Sequence, residues 1–153
     1  MNICIYKGSE MLVRKSGVGS AIKHQETILK DVGYNVVRHI DADTKAVYLN
    51  TVFPDSIIEA LITKICKTTV IYYGHSTMED FRNSFKGSNL LAPVFRKWIK
   101  FCYNMGDVIL TPTEYSRKLL INYGIKKPII ALSNGIDIQQ FVPNAENRKI
   151  FRQ

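Results

Sequence analysis

The sequence has few cysteines for its length. Only Cys4, Cys66 and Cys102 occur in 153 residues, and no two of them form the C-x-x-C pair that zinc and redox sites use. This spacing excludes a zinc ribbon and a thioredoxin-type motif, and the odd number argues against a disulfide framework. We therefore expect three reduced cysteines in the core of a cytosolic protein.

Long hydrophobic segments are also missing. No run approaches the ~18 apolar residues of a transmembrane helix. Met1 leads directly into a strand-like segment, residues 2–6, which is too short for the apolar region of a signal peptide. The sequence therefore predicts neither a targeting peptide nor a spanning helix.

Acidic residues are absent between Asp80 and Asp107. Five basic residues fall in this interval: Arg82, Lys86, Arg96, Lys97 and Lys100. The whole chain has 21 Lys and Arg against 13 Asp and Glu, a net charge of +8. Such an excess favours an anionic partner, which is nucleic acid, a phosphorylated ligand or a lipid surface.

The same interval is rich in apolar side chains. Helical spacing places six of them on one side of a predicted helix that begins at Pro93: Val94, Phe95, Trp98, Ile99, Cys102 and Met105. A basic amphipathic segment with a tryptophan can lie among the headgroups of an anionic membrane, each basic residue contributing about 1 kcal/mol. The alternative is an ordinary helix packed on a sheet. The two interpretations are compatible if one face of the helix packs on the sheet while residues 81–97 form a basic rim.

The rest of the chain alternates between strand and helix patterns. The predicted strands are residues 2–6, 34–40, 46–52, 69–73, 107–111 and 128–132, with helices at 18–32, 54–67, from 93, and 113–123. Ser56 and Glu59 have the spacing of a capping box for the second helix. Strands separated by helices imply right-handed βαβ crossovers. We predict an α/β, Rossmann-like, doubly wound parallel sheet with helices on both faces.

The strand at residues 69–73 ends at Gly74-His75-Ser76-Thr77. Its β-branched and aromatic residues are typical of a buried strand in a parallel sheet. Ligands bind outside the carboxyl ends of such strands, so His75 is a candidate catalytic residue. A histidine that satisfies a loop carbonyl is about equally compatible with the sequence.

A glycine loop, Gly17-Val18-Gly19, opens the first predicted helix. Glycines at a helix N-terminus let phosphate approach the backbone N–H groups. The loop is not a dinucleotide fingerprint, because Ile22 occupies the third glycine position. Asp41 and Asp43 follow the second predicted strand at roughly the offset of a ribose-binding acid. Glycines that ease the loop into the helix are an equally good explanation.

After the last predicted strand, residues 133–137 form a turn signal, and residues 138–153 have the composition of a linker. We therefore predict a Rossmann-like domain at residues 1–137 and a linker at 138–153 that leads toward another domain.

Several of these motifs resemble glycosyltransferase family 4, whose retaining enzymes have the GT-B architecture of two Rossmann-like domains facing a cleft. The resemblance rests on residues 16–19, 73–77 and 107–113, and above all on Ser133-Asn134-Gly135-Ile136-Asp137 followed by Phe141 and Pro143. Residues 79–85 and 95–100 are similar to the bacterial enzymes that transfer glucose from UDP-glucose to diacylglycerol.

The resemblance implies a role for particular residues. Gly17, Val18 and Gly19 would face the donor diphosphate, and His75 would stand beside the transferred sugar. Ser76, Thr77 and Arg82 would line the acceptor cleft, and Asn134 and Gly135 would form the hinge. The implied membrane-binding residues are Arg82, Lys86, Arg96, Lys97, Trp98 and Lys100.

The resemblance also implies partners and a location. They are a nucleotide sugar as substrate, a lipid acceptor, an anionic membrane surface at the inner face of the cell membrane, and a C-terminal domain that would bind most of the nucleotide. We expect no cofactor and no metal, and little turnover from this half alone. The alternatives are a free-standing domain that binds a nucleotide or phosphorylated ligand and, ranked last, a scaffold that binds nucleic acid.

Overall fold

The computed structural model describes residues 1–135, which form a parallel sheet of six strands. The strands are Asn2–Ile5 (β1), Asn35–Val37 (β2), Thr44–Leu49 (β3), Thr69–Tyr73 (β4), Val108–Thr111 (β5) and Ile129–Ala131 (β6). Their order across the sheet is β2-β1-β3-β4-β5-β6, and every neighbouring pair is parallel. The predicted parallel α/β fold is confirmed.

Helices connect most of these strands. They are Glu10–Val13 (α1), Gly17–Asp31 (α2), Pro54–Ile65 (α3), Met78–Phe81 (α4), Ser88–Asn104 (α5) and Glu114–Asn122 (α6). The chain moves outward from β1 to β2, but in the opposite direction from β3 through β6. Right-handed crossovers therefore place α2 on one face and α3, α5 and α6 on the other. The sheet is doubly wound, as predicted.

The main hydrophobic core lies on the α3, α5 and α6 face. Tyr72 of β4 and Tyr103 of α5 are fully buried there, with their ring centroids 5.4 Å apart in an edge-to-face arrangement. A smaller cluster lies under α2, where Ile3 and Ile5 of β1 pack against Ile22. Packing on both faces fixes the strands, and with them the loops at their carboxyl ends.

Several boundaries differ from the prediction. A one-turn helix, α1, lies between the first predicted strand and the first predicted helix, and β2 is shorter than residues 34–40. Strand β3 ends at Leu49, not at residue 52, because its ladder with β4 stops at the pair Leu49 and Tyr72. Asn50 is therefore a loop residue at the carboxyl end of β3.

The predicted capping box of α3 is wrong. Pro54 is the first residue of this helix and Phe53 is its N-cap, because the fixed φ of proline suits the first helical position. Ser56 consequently lies inside the helix, fully buried, with its hydroxyl 2.7 Å from that of Thr51.

Helix α5 begins five residues earlier than predicted. Its N-cap is Gly87, with a φ of 92°, a backbone conformation that glycine adopts without steric cost. Asn83 and Asn89 exchange hydrogen bonds across this start, the Asn89 amide donating to Asn83 Oδ1 at 2.9 Å. Pro93 therefore lies inside the helix and does not begin it.

Helix α3 turns small residues toward the sheet and large ones toward solvent. Ser56, Ala60 and Thr63 are buried. The aliphatic side chains of this helix are largely exposed: Ile58 by 59%, Leu61 by 50%, Ile62 by 44% and Ile65 by 81%. Small side chains let the helix approach the strands closely, which leaves no room for the aliphatic ones beneath it.

The cysteine prediction is correct for two residues of three. Cys4 and Cys102 are buried and free, whereas Cys66, which follows the last residue of α3, is exposed. Helix α3 ends at the surface there, so an apolar neighbourhood in the sequence did not mean burial.

Two expectations, the absence of a spanning helix and the linker, concern residues that lie partly or wholly outside the described range. Of residues 1–135, no helix is long and apolar enough to cross a bilayer. The predicted linker, residues 138–153, lies outside the described residues, as do Ile136 and Asp137 of the turn motif.

Candidate active-site cleft

The candidate cleft lies where the strand order reverses, between β1 and β3. Ligands of doubly wound sheets bind at this switch point, outside the carboxyl ends of the strands. Asn50 follows β3 there, and His75 follows β4 two residues after Tyr73. Helix α2 begins at the same edge, because it starts after the carboxyl end of β1 and runs back along the sheet. The glycine loop and His75 therefore lie at one edge of the sheet.

The imidazole of His75 is held on two sides. Its ring stacks on the Tyr73 ring, with centroids 4.5 Å apart and planes inclined by 15°. Its Nε2 atom lies 3.1 Å from Asn50 Oδ1. Burial lowers the pKa of His75 to about 4, because desolvation disfavours the imidazolium. The ring is therefore neutral at pH 7.

Asn50 and Gln25 belong to the site but were not predicted from the sequence. Gln25 of α2 donates from Nε2 to Asn50 Oδ1 at 3.0 Å, and both side chains are buried. Asn50 was missed because the predicted strand ran through it. The signal for Gln25 was available: it lies between Ile22 and Leu29 on the buried side of a helix, where a polar side chain needs a partner.

A cavity of about 270 Å³ opens beside His75. Its lining is His75, Ser76, Thr77, Asp80, Phe81, Ser84 and Phe95. The structure thus brings together three of the predicted site residues. The rings of Phe81 and Phe95 are stacked with their centroids 4.2 Å apart and add an apolar surface to the cavity lining.

Ser76 and Thr77 also hold the loop after β4 in place. The hydroxyl of Tyr103 accepts from Ser76 N at 3.1 Å and donates to Ser76 O at 3.0 Å. Thr77 is the N-cap of α4, and its Oγ1 accepts from Asp80 N at 3.2 Å. The buried Tyr103 therefore fixes the backbone at Ser76, and the cap of α4 fixes it at Thr77.

Arg82, the fourth predicted cleft residue, lies in a neighbouring groove of about 390 Å³. The groove is lined by Met78, Arg82, Pro93, Arg96, Lys97, Lys100 and Tyr123. Arg82, Lys97 and Lys100 are exposed. Arg96 is tied down, since it donates to Asn122 O at 2.8 Å and its guanidinium lies 4.8 Å from the centroid of the Tyr123 ring.

Trp98 is turned toward the protein. Its Nε1 donates to Val52 O at 2.8 Å, and its ring packs against the main core. Helix α5 instead exposes four other apolar side chains: Leu90 by 84%, Leu91 by 49%, Val94 by 65% and Phe101 by 52%. Val94 thus does not share the buried face that the helical spacing predicted.

The two loop glycines have different surroundings. A Cβ on Gly19 would lie 2.5 Å from Arg14 O and 2.7 Å from Val13 O, so a side chain there would clash with the backbone. A Cβ on Gly17 would meet no atom within 4 Å. Ser16, the N-cap of α2, donates its hydroxyl to Val13 O at 2.6 Å and leaves the helix N-terminus uncapped by its side chain.

Charged side chains hold the loop after β1 against α2. Lys7 and Lys30 pair with Glu26 at 2.6 and 2.8 Å. Hydrogen bonds from Lys30 and Lys7 lower the pKa of Glu26 to about 2. Because Lys7 lies two residues after Ile5, the last residue of β1, this cluster connects the end of β1 to the third and fourth turns of α2.

Asp41 does not lie at this cleft. Its carboxylate accepts from Asn2 Nδ2 at 2.8 Å and from Thr44 Oγ1 at 2.7 Å. Asn2 and Thr44 are the first residues of β1 and β3, so Asp41 is at the opposite edge of the sheet. The interpretation of Asp41 as a ribose-binding acid is wrong, because the chain had already returned to the amino ends of the strands.

Comparison with known proteins identifies the family. The model of Glycosyltransferase Family 4 matches residues 34–140. The chain belongs to glycosyltransferase family 4. It is 35% identical over 154 residues to the processive diacylglycerol alpha-glucosyltransferase of Acholeplasma laidlawii, and the match covers 100% of this chain but 45% of that protein.

Solved structures give the same picture of the fold of this family 4 chain. Anabaena Alr3699/HepE in complex with UDP-glucose has a TM-score of 0.62 at 13% identity, covering 100% of this chain and 49% of that one. The same protein in complex with UDP and glucose gives 0.60 at 12%. The chain spans about half the length of the relatives it matches, and its fold is one Rossmann-like half of a GT-B architecture.

Proposed function

We propose that this chain is the acceptor-side half of a retaining glycosyltransferase that moves glucose from UDP-glucose to a membrane lipid such as diacylglycerol. The observation that carries the proposal is the cavity beside His75. It combines a neutral imidazole, three hydroxyl side chains and a phenylalanine wall beyond the carboxyl end of β4. A sugar or glycerol hydroxyl needs such polar groups, and an acyl chain needs the apolar wall.

The donor side of the proposal rests on the N-terminus of α2. Backbone N–H groups and the helix dipole at such an end favour a diphosphate. The open space at Gly17 lets a phosphate oxygen come close to the backbone. The UDP-glucose bound in the Anabaena protein belongs to a chain twice as long. We infer that a second domain contributes most of the nucleotide contacts, and that neither a metal nor a further cofactor is required.

The lipid side of the proposal rests on a surface that is both basic and apolar. Arg82, Lys97 and Lys100 line one groove, and exposed aliphatic and aromatic side chains of α5 lie around the same helix. Helix α3, on the same face of the sheet, adds its own exposed aliphatic side chains. Such a surface suits peripheral attachment to the anionic inner face of the cell membrane.

The direct test is a reconstituted transfer reaction. The 153-residue chain is mixed with the separately produced C-terminal half of the Acholeplasma laidlawii relative, and labelled UDP-glucose and diacylglycerol vesicles are supplied. We expect glucosyl-diacylglycerol with the α configuration from the mixture and almost none from either half. Transfer to free sugars but not to lipid would overturn the proposed acceptor, and transfer by this chain alone would overturn its assignment as an incomplete half.

A thermal shift measurement separates this function from a free-standing nucleotide-binding domain. A ligand stabilises a protein strongly only when its concentration is far above its dissociation constant. If most nucleotide contacts belong to another domain, millimolar UDP-glucose should barely raise the melting temperature of this chain. A rise of several degrees would favour the free-standing domain instead.

A further inference from the structure

The side-chain amide of Asn50, in the loop after β3, connects α2 to the loop after β4. Asn50 Oδ1 lies 3.0 Å from Gln25 Nε2 on α2 and 3.1 Å from His75 Nε2 after β4. Asn50 is only 4% exposed and Gln25 only 9%. One buried oxygen therefore joins the helix that begins at the glycine loop to the imidazole.

Burial makes this arrangement rigid. A buried polar group that loses its hydrogen-bond partner is destabilising, because water cannot replace the partner there. Tyr73 blocks one face of the His75 ring, and the Tyr73 hydroxyl is itself held by a 2.6 Å bond to Leu132 O. The ring therefore has little freedom to flip or tilt.

We propose that Asn50 and Gln25 are positioning residues, which hold the His75 ring with Nε2–H turned to Asn50 and Nδ1 presented to the cavity. The Asn50 oxygen accepts a hydrogen bond from Nε2–H, so it selects the tautomer in which Nδ1 is a hydrogen-bond acceptor. Gln25 occupies one acceptor direction of that oxygen and orients the Asn50 side chain. The catalytic part of this inference rests on the function proposed above; the geometric part does not.

The remaining polar atom of each amide is consistent with this role. Among the residues that the structure describes, Gln25 Oε1 and Asn50 Nδ2 are buried without a hydrogen-bond partner. Two amides used only as core packing would be replaced by apolar side chains at lower cost. Their presence beside the His75 ring is explained if Asn50 Oδ1 is needed in one orientation.

The test is nitrogen NMR of the 153-residue chain, which reads the tautomer and the pKa of His75 directly. We expect wild type to show the Nε2–H tautomer, Asn50→Leu to show a mixture of tautomers, and Asn50→Asp to keep Nε2–H. Asn50→Asp should also raise the pKa of His75, because a carboxylate favours the imidazolium. Thr63→Val removes a buried hydroxyl on α3 and serves as the matched control, with no change at His75.

Each result decides the inference. An Nδ1–H tautomer in wild type, or an unchanged tautomer in Asn50→Leu, would overturn it. If Asn50→Leu does not fold, Gln25→Leu replaces it, and a loss of the single tautomer is again expected. In the reconstituted reaction, Asn50→Leu should lower kcat by about 10- to 100-fold with a smaller effect on KM. An unchanged kcat would overturn the positioning role, whereas failure of wild type to transfer glucose would count against the proposed function only.

Discussion

Burial gives His75 a different charge from a histidine in water at mildly acidic pH. The pKa is about 4 in the folded chain and near 6.5 in the unfolded chain. Between these values only the unfolded chain binds the proton, so folding stability falls as pH decreases from about 6.5 to 4. Below pH 4 both forms are protonated and the loss is complete.

This linkage gives a measurable prediction. A tenfold change in proton affinity corresponds to about 1.4 kcal/mol. Because the ring is partly exposed, solvent screening reduces the contribution of His75. We therefore expect acidification to lower the free energy of unfolding by an amount on the order of 2 kcal/mol. Urea unfolding of wild type and His75→Gln at pH 7, 5.5 and 4.5 isolates the contribution. The variant should lose less stability on acidification. Parallel pH profiles would mean that His75 is solvated.

Glu26 titrates in a separate range. Its pKa of about 2 in the folded chain is below the ordinary value of 4.5, so its contribution is complete above about pH 4.5 and is lost toward pH 2. Because the carboxylate pairs with both Lys7 and Lys30, Glu26→Gln should remove about 1 kcal/mol at pH 7 and nothing at pH 2. Denaturation at the two pH values checks this. An equal loss at both would indicate lost packing instead of lost charge.

At the scale of the element, the start of α2 gives its two glycines different roles, and alanine substitutions distinguish them. Gly19→Ala would push Cβ into the carbonyls of Arg14 and Val13, so we expect the free energy of unfolding to fall by about 2–3 kcal/mol. Gly17→Ala places its methyl group in open space and should be neutral or stabilising by up to about 1 kcal/mol. Calorimetry of both variants measures the difference.

The same pair distinguishes packing from ligand approach. If a diphosphate reaches the backbone at Gly17, Gly17→Ala should raise KM for UDP-glucose in the reconstituted reaction without lowering stability. An unchanged KM would leave Gly17 as a helix start only. Packing explains Gly19, whereas the open space at Gly17 leaves room for a ligand. The atoms that distinguish the two positions are the carbonyls of Val13 and Arg14, at the end of α1.

What the sequence predicts well at this scale is the order of elements. Periodicity and turn residues identified β4 and the parallel sheet, since those signals are local. The face that a helix buries does not follow from hydrophobicity alone, since Ser56, Ala60 and Thr63 of α3 pack inward. Hydrophobicity favours burial of large side chains, but the space above a sheet is set by distant strands. Asn50 was missed for the same reason, because its partners Gln25 and His75 are 25 residues away on either side.

At the scale of the whole molecule, positive charge and exposed apolar area occur on one face of the sheet. Arg82, Lys86, Lys97 and Lys100 are exposed there, while Arg96 has a structural role beside Tyr123. Trp98 is held by Val52, so Phe101 and the aliphatic side chains of α5 are better placed to enter a lipid surface. Charge would bring the domain to an anionic bilayer, and these side chains would then hold it.

Vesicle sedimentation tests this attachment. Binding should rise with the fraction of anionic lipid and fall with salt, because charges are screened within about 8 Å at physiological ionic strength. Glutamine at Arg82, Lys86, Lys97 and Lys100 should weaken binding strongly and leave stability nearly unchanged, since Arg96 is kept.

The matched control places glutamine at four exposed basic residues elsewhere: Lys15, Lys23, Arg38 and Lys45. It removes the same charge and should bind almost as wild type does. If both variants lose binding equally, net charge alone causes the attraction; if neither does, this face does not contact the membrane and the lipid acceptor loses its physical support.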